Sequence, residues 1–465
     1  MNIKDVHIVY FIGIGGIGMS AIARYFLANG STVYGYDKTP TALTHQLEKE
    51  GVKIHYQEEV SLIKELLPQF QDKGLVVYTP AIPRDHLEFQ FFQEQGIRIY
   101  KRAEVLGLIS QNYFTIAIAG THGKTTTSSM VAHVLNTCGV DCVAFLGGIS
   151  INFNSNLLLN DNAKVLVVEA DEFDRSFLTL SPDIALITSL DADHLDVYEA
   201  KNEMIKSYQE FVAKIKTGGT LITKPEHINQ LKGEQSISYQ SYALKEQADS
   251  YAKSLSVKDG SYVMDVTCKG EEVNNIELGL PGIHNVENAI GAFAIANSLD
   301  VPGAKIKQAL SSFRGVQRRF EYQIKTSSLI YIDDYAHHPT ELEFCIKSVR
   351  ELYPDKKITG IFQPHLYSRT RDFKDEFASS LSLLDELILL DIYPARELPI
   401  EGITSNVIFE KVTCAEKVAL SEEELLSHVE NNDYEVLLTM GAGDIDVFVE
   451  PIKEILNKKL KKINA

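Results

Sequence analysis

Short apolar runs alternate with helix-like segments three times along this 465-residue chain, and this alternation constrains the fold more than any other feature. The three blocks begin with the apolar runs 6–12, 114–119 and 329–333. Strands that alternate with helices form mainly parallel sheets with helices on their faces. We therefore predict an α/β protein of three domains, with boundaries at 1–108, 109–314 and 315–465.

The three blocks differ in detail. The first and third have the pattern of Rossmann-like domains, and the central one has the pattern of a P-loop ATPase. Between residues 250 and 278 the pattern changes to alternating strands broken at Asp259-Gly260 and Lys269-Gly270. Such turns predict an antiparallel insert in the central domain.

A glycine-rich turn directly follows the run 114–119 and opens a helix; it consists of Gly120, Thr121, His122, Gly123, Lys124, Thr125 and Thr126. Glycines allow backbone N–H groups to point at anionic oxygens, and the helix start adds its positive dipole end. Lys124, which we expect to be exposed, can then reach β- and γ-phosphates, and the Thr125 hydroxyl can bind Mg²⁺. The turn is a shortened phosphate-binding loop, because the common spacing would place glycine where Ile118 stands. A ligand-free glycine turn is the alternative, and it gives the Lys-Thr-Thr sequence no role.

A second glycine-rich segment follows the first strand; it is Gly13-Ile14-Gly15-Gly16-Ile17-Gly18. With Asp37 at the end of the next strand, it matches the dinucleotide fingerprint, in which the acidic residue binds a ribose hydroxyl. An NAD-dependent oxidoreductase is therefore one alternative. A UDP sugar also carries a diphosphate, and we predict that Gly15, Gly16, Ile17, Gly18 and Asp37 bind it.

Acidic and histidine side chains follow two strands of the predicted central sheet. Glu169 ends one apolar run, and His194 follows the run 187–190. Mg²⁺ prefers oxygen ligands, so we predict that Glu169 and Thr125 hold it against the phosphates of ATP. His194 is the candidate for a second Mg²⁺ ligand. The alternatives are that Glu169 caps a helix and that His194 packs in the core.

Two further positions suggest contacts with ATP. Asn288 lies in a polar segment before an Ala-rich helix, where amides can read an adenine edge. Arg319 opens the third block, where a cation can reach a γ-phosphate. Stabilisation of charge of this kind carries most of the catalysis of phosphoryl transfer.

Histidine-rich clusters follow two successive strands of the third block, at 333–340 and 362–369. Ligands collect at the carboxyl ends of parallel strands. The clusters therefore predict a substrate-binding rim, to which we assign His337, His365 and Arg369.

Composition restricts the partners. The net charge of −18 and the isoelectric point near 5.2 argue against a nucleic-acid partner. The five cysteines show no Cys-x-x-Cys spacing and are predicted to be free thiols. No apolar run approaches the ~18 residues of a membrane span. We expect a cytoplasmic enzyme without membrane insertion, as a monomer or a weak homodimer.

Together these motifs resemble the Mur ligase family, from Gly13 to the turn at 441–444. The most specific matches are Gly-Thr-His-Gly-Lys-Thr-Thr at 120–126, Glu-Ala-Asp-Glu at 169–172, Asp-Ala-Asp-His at 191–194 and Asp-Tyr-Ala-His-His-Pro-Thr at 334–340. The resemblance implies an N-terminal UDP-binding domain, a central ATPase domain and a C-terminal domain that closes over ATP. The motifs are most similar to those of the family members that join the lactyl carboxylate of UDP-N-acetylmuramate to L-alanine, with ATP and Mg²⁺, in peptidoglycan synthesis.

The resemblance also implies roles for single residues. Lys124 and its loop hold phosphates, while the metal ligands are Thr125, Glu169 and His194. The implied ligand contacts are Asn288 for adenine, Arg319 for the γ-phosphate, Asp334 for the ATP ribose, and His365 with Arg369 for the muramoyl side.

Three points leave alternatives open. In better-known members of the family, the motif at the rim is similar to Phe-Gln-Pro-His-Arg-Tyr. This chain has Leu366 in place of the arginine. A family member that attaches a murein tripeptide to the same UDP sugar is the second candidate. A non-catalytic nucleotide switch would explain the phosphate loop alone.

Overall fold

The computed structural model describes residues 3–190, 201–233, 235–245, 247–258, 260–395 and 397–463. Within these ranges the chain forms three sheets with flanking helices, as the alternation of the sequence predicts. The backbone groups into two compact units. The second unit consists of the chain from Gly315 onward, together with two short earlier segments, Ser256–Val263 and Leu278–Val286.

The first sheet is fully parallel. Its strands are β1 Ile8–Ile12, β2 Thr32–Tyr36, β3 Lys53–His55, β4 Gly74–Tyr78 and β5 Ile99–Lys101. Its helices are α1 Ile17–Ala28, α2 Ala42–Glu50, α3 Val60–Lys73, α4 Leu87–Glu94 and α5 Arg102–Ser110. The strand order β3-β2-β1-β4-β5 puts β1 in the centre, and all five of its residues are buried. This order is that of a Rossmann-like half, whose ligands collect just beyond the central strand.

The second sheet has ten strands. They are β6 Phe114–Ala119, β7 Cys142–Ser150, β8 Ser155–Leu158, β9 Val165–Glu169, β10 Ile184–Ile187, β11 Thr220–Thr223, β12 Ser238–Ala243, β13 Ser250–Lys258, β14 Ser261–Cys268 and β15 Glu271–Glu277. Its helices are α6 Lys124–Thr137, α7 Lys201–Val212, α8 Pro225–Leu231, α9 Ile283–Ser298 and α10 Gly303–Ser312. The order is β15-β14-β13-β12-β11-β10-β6-β9-β7-β8, so the strand before the phosphate loop lies between β10 and β9.

The edges of this sheet depart from the parallel pattern. β7 and β8 form an antiparallel pair, which the sequence did not indicate. The predicted insert is present as β13, β14 and β15. Lys269 and Gly270, with φ of +47° and +87°, form the tight turn between its last two strands. Such a two-residue turn joins antiparallel neighbours.

The third sheet lies in the second compact unit. Its strands are β16 Glu321–Lys325, β17 Ile330–Asp334, β18 Ile358–Phe362, β19 Glu386–Leu389, β20 Glu416–Ala419 and β21 Val436–Met440. Its helices are α11 Pro339–Leu352, α12 Tyr367–Leu381, α13 Asn406–Phe409, α14 Glu422–Asn431 and α15 Val449–Ile463. The order is β16-β17-β21-β18-β19-β20, with only β16 antiparallel to its neighbour. Both histidine-rich segments therefore follow strands that pair with β21, and they lie at the same edge of the sheet.

The first two sheets pack together within the first unit. Arg24 and Ser20 on α1 meet Asn156 on β8, whose Nδ2 donates to Ser20 Oγ at 2.8 Å and to the Ile17 carbonyl at 2.6 Å. Asn156 is buried, and its polar atoms gain partners from the first sheet's helix. Across the described ranges, no helix combines the length and apolar character needed to cross a membrane.

Candidate active site

The loop after β6 turns at two glycines with left-handed backbone. Gly120 has φ +125° and Gly123 has φ +78°. A Cβ at position 120 would lie 2.1 Å from Thr188 Oγ1, and one at 123 would lie 2.8 Å from Asn288 Oδ1. No described side chain caps α6, which begins at Lys124. The free amides of a helix start are an anion-binding cradle, so the backbone here has the form that phosphates need.

Two hydroxyl side chains after β10 hold this loop in place. The Ser189 hydroxyl lies 2.7 Å from Thr121 Oγ1 and accepts from His122 N at 3.0 Å. Thr188 Oγ1 donates to the His122 carbonyl at 2.5 Å. Sequence reasoning missed both residues, which the parallel pairing of β10 with β6 places beside the loop.

Lys124 is not the exposed side chain that its loop position predicts. It is 12% exposed, and both carboxylate oxygens of Glu172, itself 1% exposed, lie 2.9 Å from its Nζ. Nζ also donates to the Gly120 carbonyl at 2.7 Å. Burial opposes the charge on Lys124, but Glu172 and Glu169 outweigh it and raise the pKa of the ammonium. Lys124 is therefore a largely enclosed cation at neutral pH.

Glu169 lies beside the start of the loop, because at the end of β9 it pairs with Ile118, close to the end of the neighbouring strand β6. Its Oε2 accepts from Gly147 N at 3.2 Å. A Cβ at position 147 would lie 2.2 Å from the same oxygen. Gly147 on β7 is thus required for the carboxylate to occupy this position. Sequence reasoning missed Gly147, because it is 22 positions from Glu169 and belongs to none of the motifs.

The oxygen donors of this region suit Mg²⁺. Thr125 lies in the first turn of α6, and Glu169 supplies a carboxylate. Two protein oxygens, with water and phosphate in the remaining positions, are a normal donor set for this ion. Among the described residues, no three His, Cys, Asp or Glu side chains form a metal-binding group. His194, the predicted second ligand, lies outside the described residues.

The glycine loop after β1 places its predicted residues together. Gly15 N donates to Asp37 Oδ2 at 2.7 Å, and a Cβ at position 15 would lie 2.8 Å from that oxygen. Gly16 is the N-cap of α1, which has neither a side-chain cap nor an acidic residue in its first turn. Asp37 therefore braces the loop, and the helix start that follows is left for an anion.

Arg102 is a contributor to this first site that sequence reasoning missed. A Cβ at Gly18 would lie 2.2 Å from Arg102 Nη1, so the guanidinium lies against the first turn of α1. Asp171, in the acidic motif of the second sheet, is 3.7 Å from the same side chain. The cation thus stands between the glycine loop and the segment that carries Glu169.

In the second unit, Asp334 supports a tight turn. Its carboxylate accepts from Phe320 N and from Ala336 N, each at 2.7 Å. Burial raises the pKa of Asp334 to about 6, against the opposing effect of Arg319. The Arg319 guanidinium lies 5.0 Å from the Tyr335 ring centroid. The predicted contacts of Asp334 with ribose and of Arg319 with phosphate stay predictions.

The residues of the predicted rim come together in the structure. The rings of His337 and His365 are 6.0 Å apart, and Arg369 Nη1 lies 3.4 Å from His365 Nδ1. His365 also stacks on Tyr393 at 5.7 Å and 21°. His337 Nδ1 is 3.0 Å from the Tyr335 carbonyl, which fixes its ring. The rim is therefore an aromatic surface that carries the cation of Arg369, which suits it to a carboxylate.

Leu366, at the position where the resemblance noted in the sequence leads us to expect an arginine, has an unusual backbone. Its φ of +71° with ψ of 137° is a conformation that side chains rarely adopt. Leu366 N donates to the Tyr393 carbonyl at 2.9 Å, and Thr370 Oγ1 donates to the Leu366 carbonyl at 2.8 Å. Strained backbone of this kind persists where its surroundings fix it, most often at functional sites.

We expect His365 to titrate far below an ordinary histidine. Burial, with the neighbouring His337 and Arg369, lowers its pKa from 6.5 to about 4. Because the folded pKa is below the unfolded one, the unfolded chain binds more protons between these values, and stability contributed by His365 falls as pH drops through this window. NMR of ¹³C-histidine-labelled protein should show a midpoint near 4 that rises in Arg369→Gln. A midpoint at or above 6.5 would contradict the geometry of the rim.

Three family models match successive parts of the chain. They are described as Mur ligase family, catalytic domain, at residues 8–114, Mur ligase middle domain at 118–296, and Mur ligase, glutamate ligase domain, at 318–443. Each of them corresponds to one of the three sheets. The chain belongs to the Mur ligase family.

Individual relatives are similar over the full length. A protein of Cytophaga hutchinsonii named UDP-N-acetylmuramate–L-alanine ligase is 49% identical over 468 residues, which is 100% of both chains. The crystal structure of a UDP-N-acetylmuramate-alanine ligase from Thermotoga maritima has a TM-score of 0.79 at 28% identity, over 98% of this chain and 99% of that one. A murein peptide ligase from Psychrobacter arcticus has a TM-score of 0.68 at 24% identity, over 97% and 98%, and shows the shared fold alone.

Proposed function

We propose that this protein joins L-alanine to the carboxylate of UDP-N-acetylmuramate at the expense of ATP, in peptidoglycan synthesis. The single observation that carries the proposal is the phosphate cradle of Gly120–Thr126 with Lys124 and Glu169 beside it. The full-length similarity to ligases named for this reaction supports the choice of substrates. A dehydrogenase would use the first glycine loop and leave the second without a role.

The chemistry requires activation, because the oxygen of a carboxylate is a poor leaving group. A carboxylate oxygen of UDP-N-acetylmuramate attacks the γ-phosphorus of ATP, the bond to the β-phosphate oxygen breaks, and ADP leaves. The neutral amine of L-alanine then attacks the carbonyl carbon of the acyl phosphate. The tetrahedral intermediate loses phosphate and a proton and becomes the amide.

The nucleotide roles follow from the loop. Backbone amides of residues 120–126 and the Lys124 ammonium bind the phosphates of ATP. Thr125 and Glu169, with His194 as predicted, would hold Mg²⁺, which neutralises phosphate charge when bound. Asn288, whose side chain lies against Gly123, is proposed for the adenine side of ATP.

The remaining roles stay proposals on the same basis. In the second unit, they are Arg319 for the γ-phosphate, Asp334 for the ribose of ATP, and His337, His365 and Arg369 for the acceptor carboxylates. In the first unit, Gly15, Gly16, Ile17 and Gly18 bind the diphosphate of the UDP sugar, with Asp37 at the loop. We also propose domain boundaries at 1–108, 109–314 and 315–465, and a monomer or weak homodimer.

An isotope experiment tests the acyl phosphate. With ¹⁸O in the lactyl carboxylate of UDP-N-acetylmuramate, we expect one labelled oxygen in the released phosphate, because that oxygen forms the bond to phosphorus. Mass spectrometry of the phosphate measures the label. Reactions that lack either L-alanine or the UDP sugar serve as controls and should release little phosphate. Unlabelled phosphate at the full rate would mean that water attacks ATP, and the ligase mechanism would fail.

A further inference from the structure

The lysine of the phosphate loop is paired with a carboxylate from the segment that follows β9. Glu172 is buried; its Oε1 accepts a hydrogen bond from Lys124 Nζ at 2.9 Å, and its Oε2 lies at the same distance from Nζ as part of the ion pair. Lys124 Nζ also donates to the carbonyls of Gly120 at 2.7 Å and Thr121 at 3.3 Å. An ammonium has three N–H donors, so these partners engage all of them.

A nucleotide phosphate can bind Lys124 only if one of these partners gives way. The carbonyls of Gly120 and Thr121 are fixed by the loop backbone, which Thr188 and Ser189 hold from the adjacent strand. Glu172 is a side chain, and its negative charge repels an incoming phosphate. Its carboxylate is therefore the partner whose displacement requires the least rearrangement of the loop.

We propose that Glu172 is a positioning residue that occupies Lys124 in the nucleotide-free enzyme and is displaced from it by the phosphates of ATP. The proposal rests on the proposed function, since it assumes that the loop binds ATP. Glu172 keeps a buried lysine paired when no ligand is present, because an unpaired buried charge strongly destabilises a fold. It also lowers nucleotide affinity, because binding must break the pair.

A merely structural ion pair predicts the opposite effect on binding. If Glu172 only supported the loop, its removal would loosen the cradle and weaken ATP binding. If Glu172 competes with phosphate, its removal tightens binding while the nucleotide-free protein becomes less stable. The sign of the change in nucleotide affinity therefore separates the two roles.

The test is calorimetric titration of ATP and ADP into the full-length protein and into Glu172→Gln, without acceptor or amino acid. We expect Glu172→Gln to bind both nucleotides about tenfold more tightly, because a charge-assisted hydrogen bond no longer has to be broken. Its thermal midpoint without nucleotide should be lower than that of the wild type. Glu172→Asp keeps the charge on a shorter side chain, should bind with intermediate affinity, and carries the test if Glu172→Gln does not fold.

Two comparisons exclude a general effect of charge. Asp171 is adjacent in sequence, 37% exposed and paired with Arg102 at 3.7 Å. Asp171→Asn removes the same charge outside the Lys124 pair, and should change the dissociation constants by about twofold or less, since exposed charges are screened. In a Lys124→Met background, adding Glu172→Gln removes only the repulsion of phosphate by the carboxylate, so it should tighten binding clearly less than the same change does in the wild type, because there is no pair to break.

The outcomes are distinct. Unchanged or weaker nucleotide binding in Glu172→Gln, with normal binding by the wild type, overturns the competition by Glu172 and leaves the proposed function standing. Equal tightening in Asp171→Asn, or full tightening in the Lys124→Met background, also overturns it. Failure of the wild type to bind ATP at all would instead overturn the proposed function.

Discussion

Lys124→Met should lower turnover by about 100-fold or more, because it removes a cation from the charge that develops on the transferred phosphoryl group. The structure adds a second effect. Lys124 is the ion-pair partner of the buried Glu172, and loss of one partner of such a pair costs about 3–5 kcal/mol of stability. Activity must therefore be measured as kcat per folded enzyme, with the folded fraction followed by circular dichroism.

A paired variant separates the two effects. Lys124→Met combined with Glu172→Gln removes both charges, so it should recover much of the lost stability and none of the lost turnover. Lys206→Met is the matched control, because Lys206 is 67% exposed and pairs only with Glu203 on its own helix among the described contacts. Near-normal kcat in the double variant would mean that the loop of residues 120–126 does not act on ATP.

The fold was predictable because its signals are local. β6 and β10 are short apolar runs whose residues are almost all buried, and such runs stand out against the polar segments between them. The turn at Lys269-Gly270 requires left-handed backbone, which glycine after a polar residue provides. The antiparallel pair of β7 and β8 escaped prediction because its strands follow each other without a helix and its residues do not alternate clearly.

The site was predictable only as far as its motifs extend. Each motif places its residues on a strand end or a helix start, and the structure brings His337, His365 and Arg369 together as strand order requires. The burial of Lys124 depends on Glu172, 48 positions away. Local sequence describes a lysine in a loop, and only packing of the segment after β9 reveals that it is enclosed.

The side chains that lie close to particular glycines could not be predicted from the sequence either. Gly147 is required because a carboxylate 22 positions away occupies the space of its missing side chain. Gly18 belongs to a recognisable fingerprint, but the guanidinium of Arg102 beside it comes from another helix. A glycine in a sequence shows where backbone freedom or space is available, and the residue that uses the space is found only in three dimensions.

We expect L-alanine to be a far better substrate than the tripeptide L-Ala-γ-D-Glu-diaminopimelate. The tripeptide carries several carboxylates, and each one buried without a cation costs about 1–3 kcal/mol or more. At the described rim, Arg369 lies beside His365. Arg371 forms an ion pair with Asp372, with N···O distances of 2.7 and 2.9 Å, and Leu366 supplies no charge. Two unmatched carboxylates correspond to a difference of about 100-fold or more. Glycine should react more slowly than L-alanine, because one methylene is worth about 1–3 kcal/mol, and L-serine should react more slowly because a pocket for one methyl group must also accommodate its hydroxyl.

The most direct test is the initial rate of phosphate release with ATP, Mg²⁺ and UDP-N-acetylmuramate, comparing L-alanine with the tripeptide at matched concentrations. Mass spectrometry of the products confirms that phosphate release accompanies amide formation. The account predicts rapid, L-alanine-dependent release and a product heavier than the UDP sugar by one alanine residue. Faster reaction with the tripeptide would contradict it and identify a ligase that recycles murein peptide.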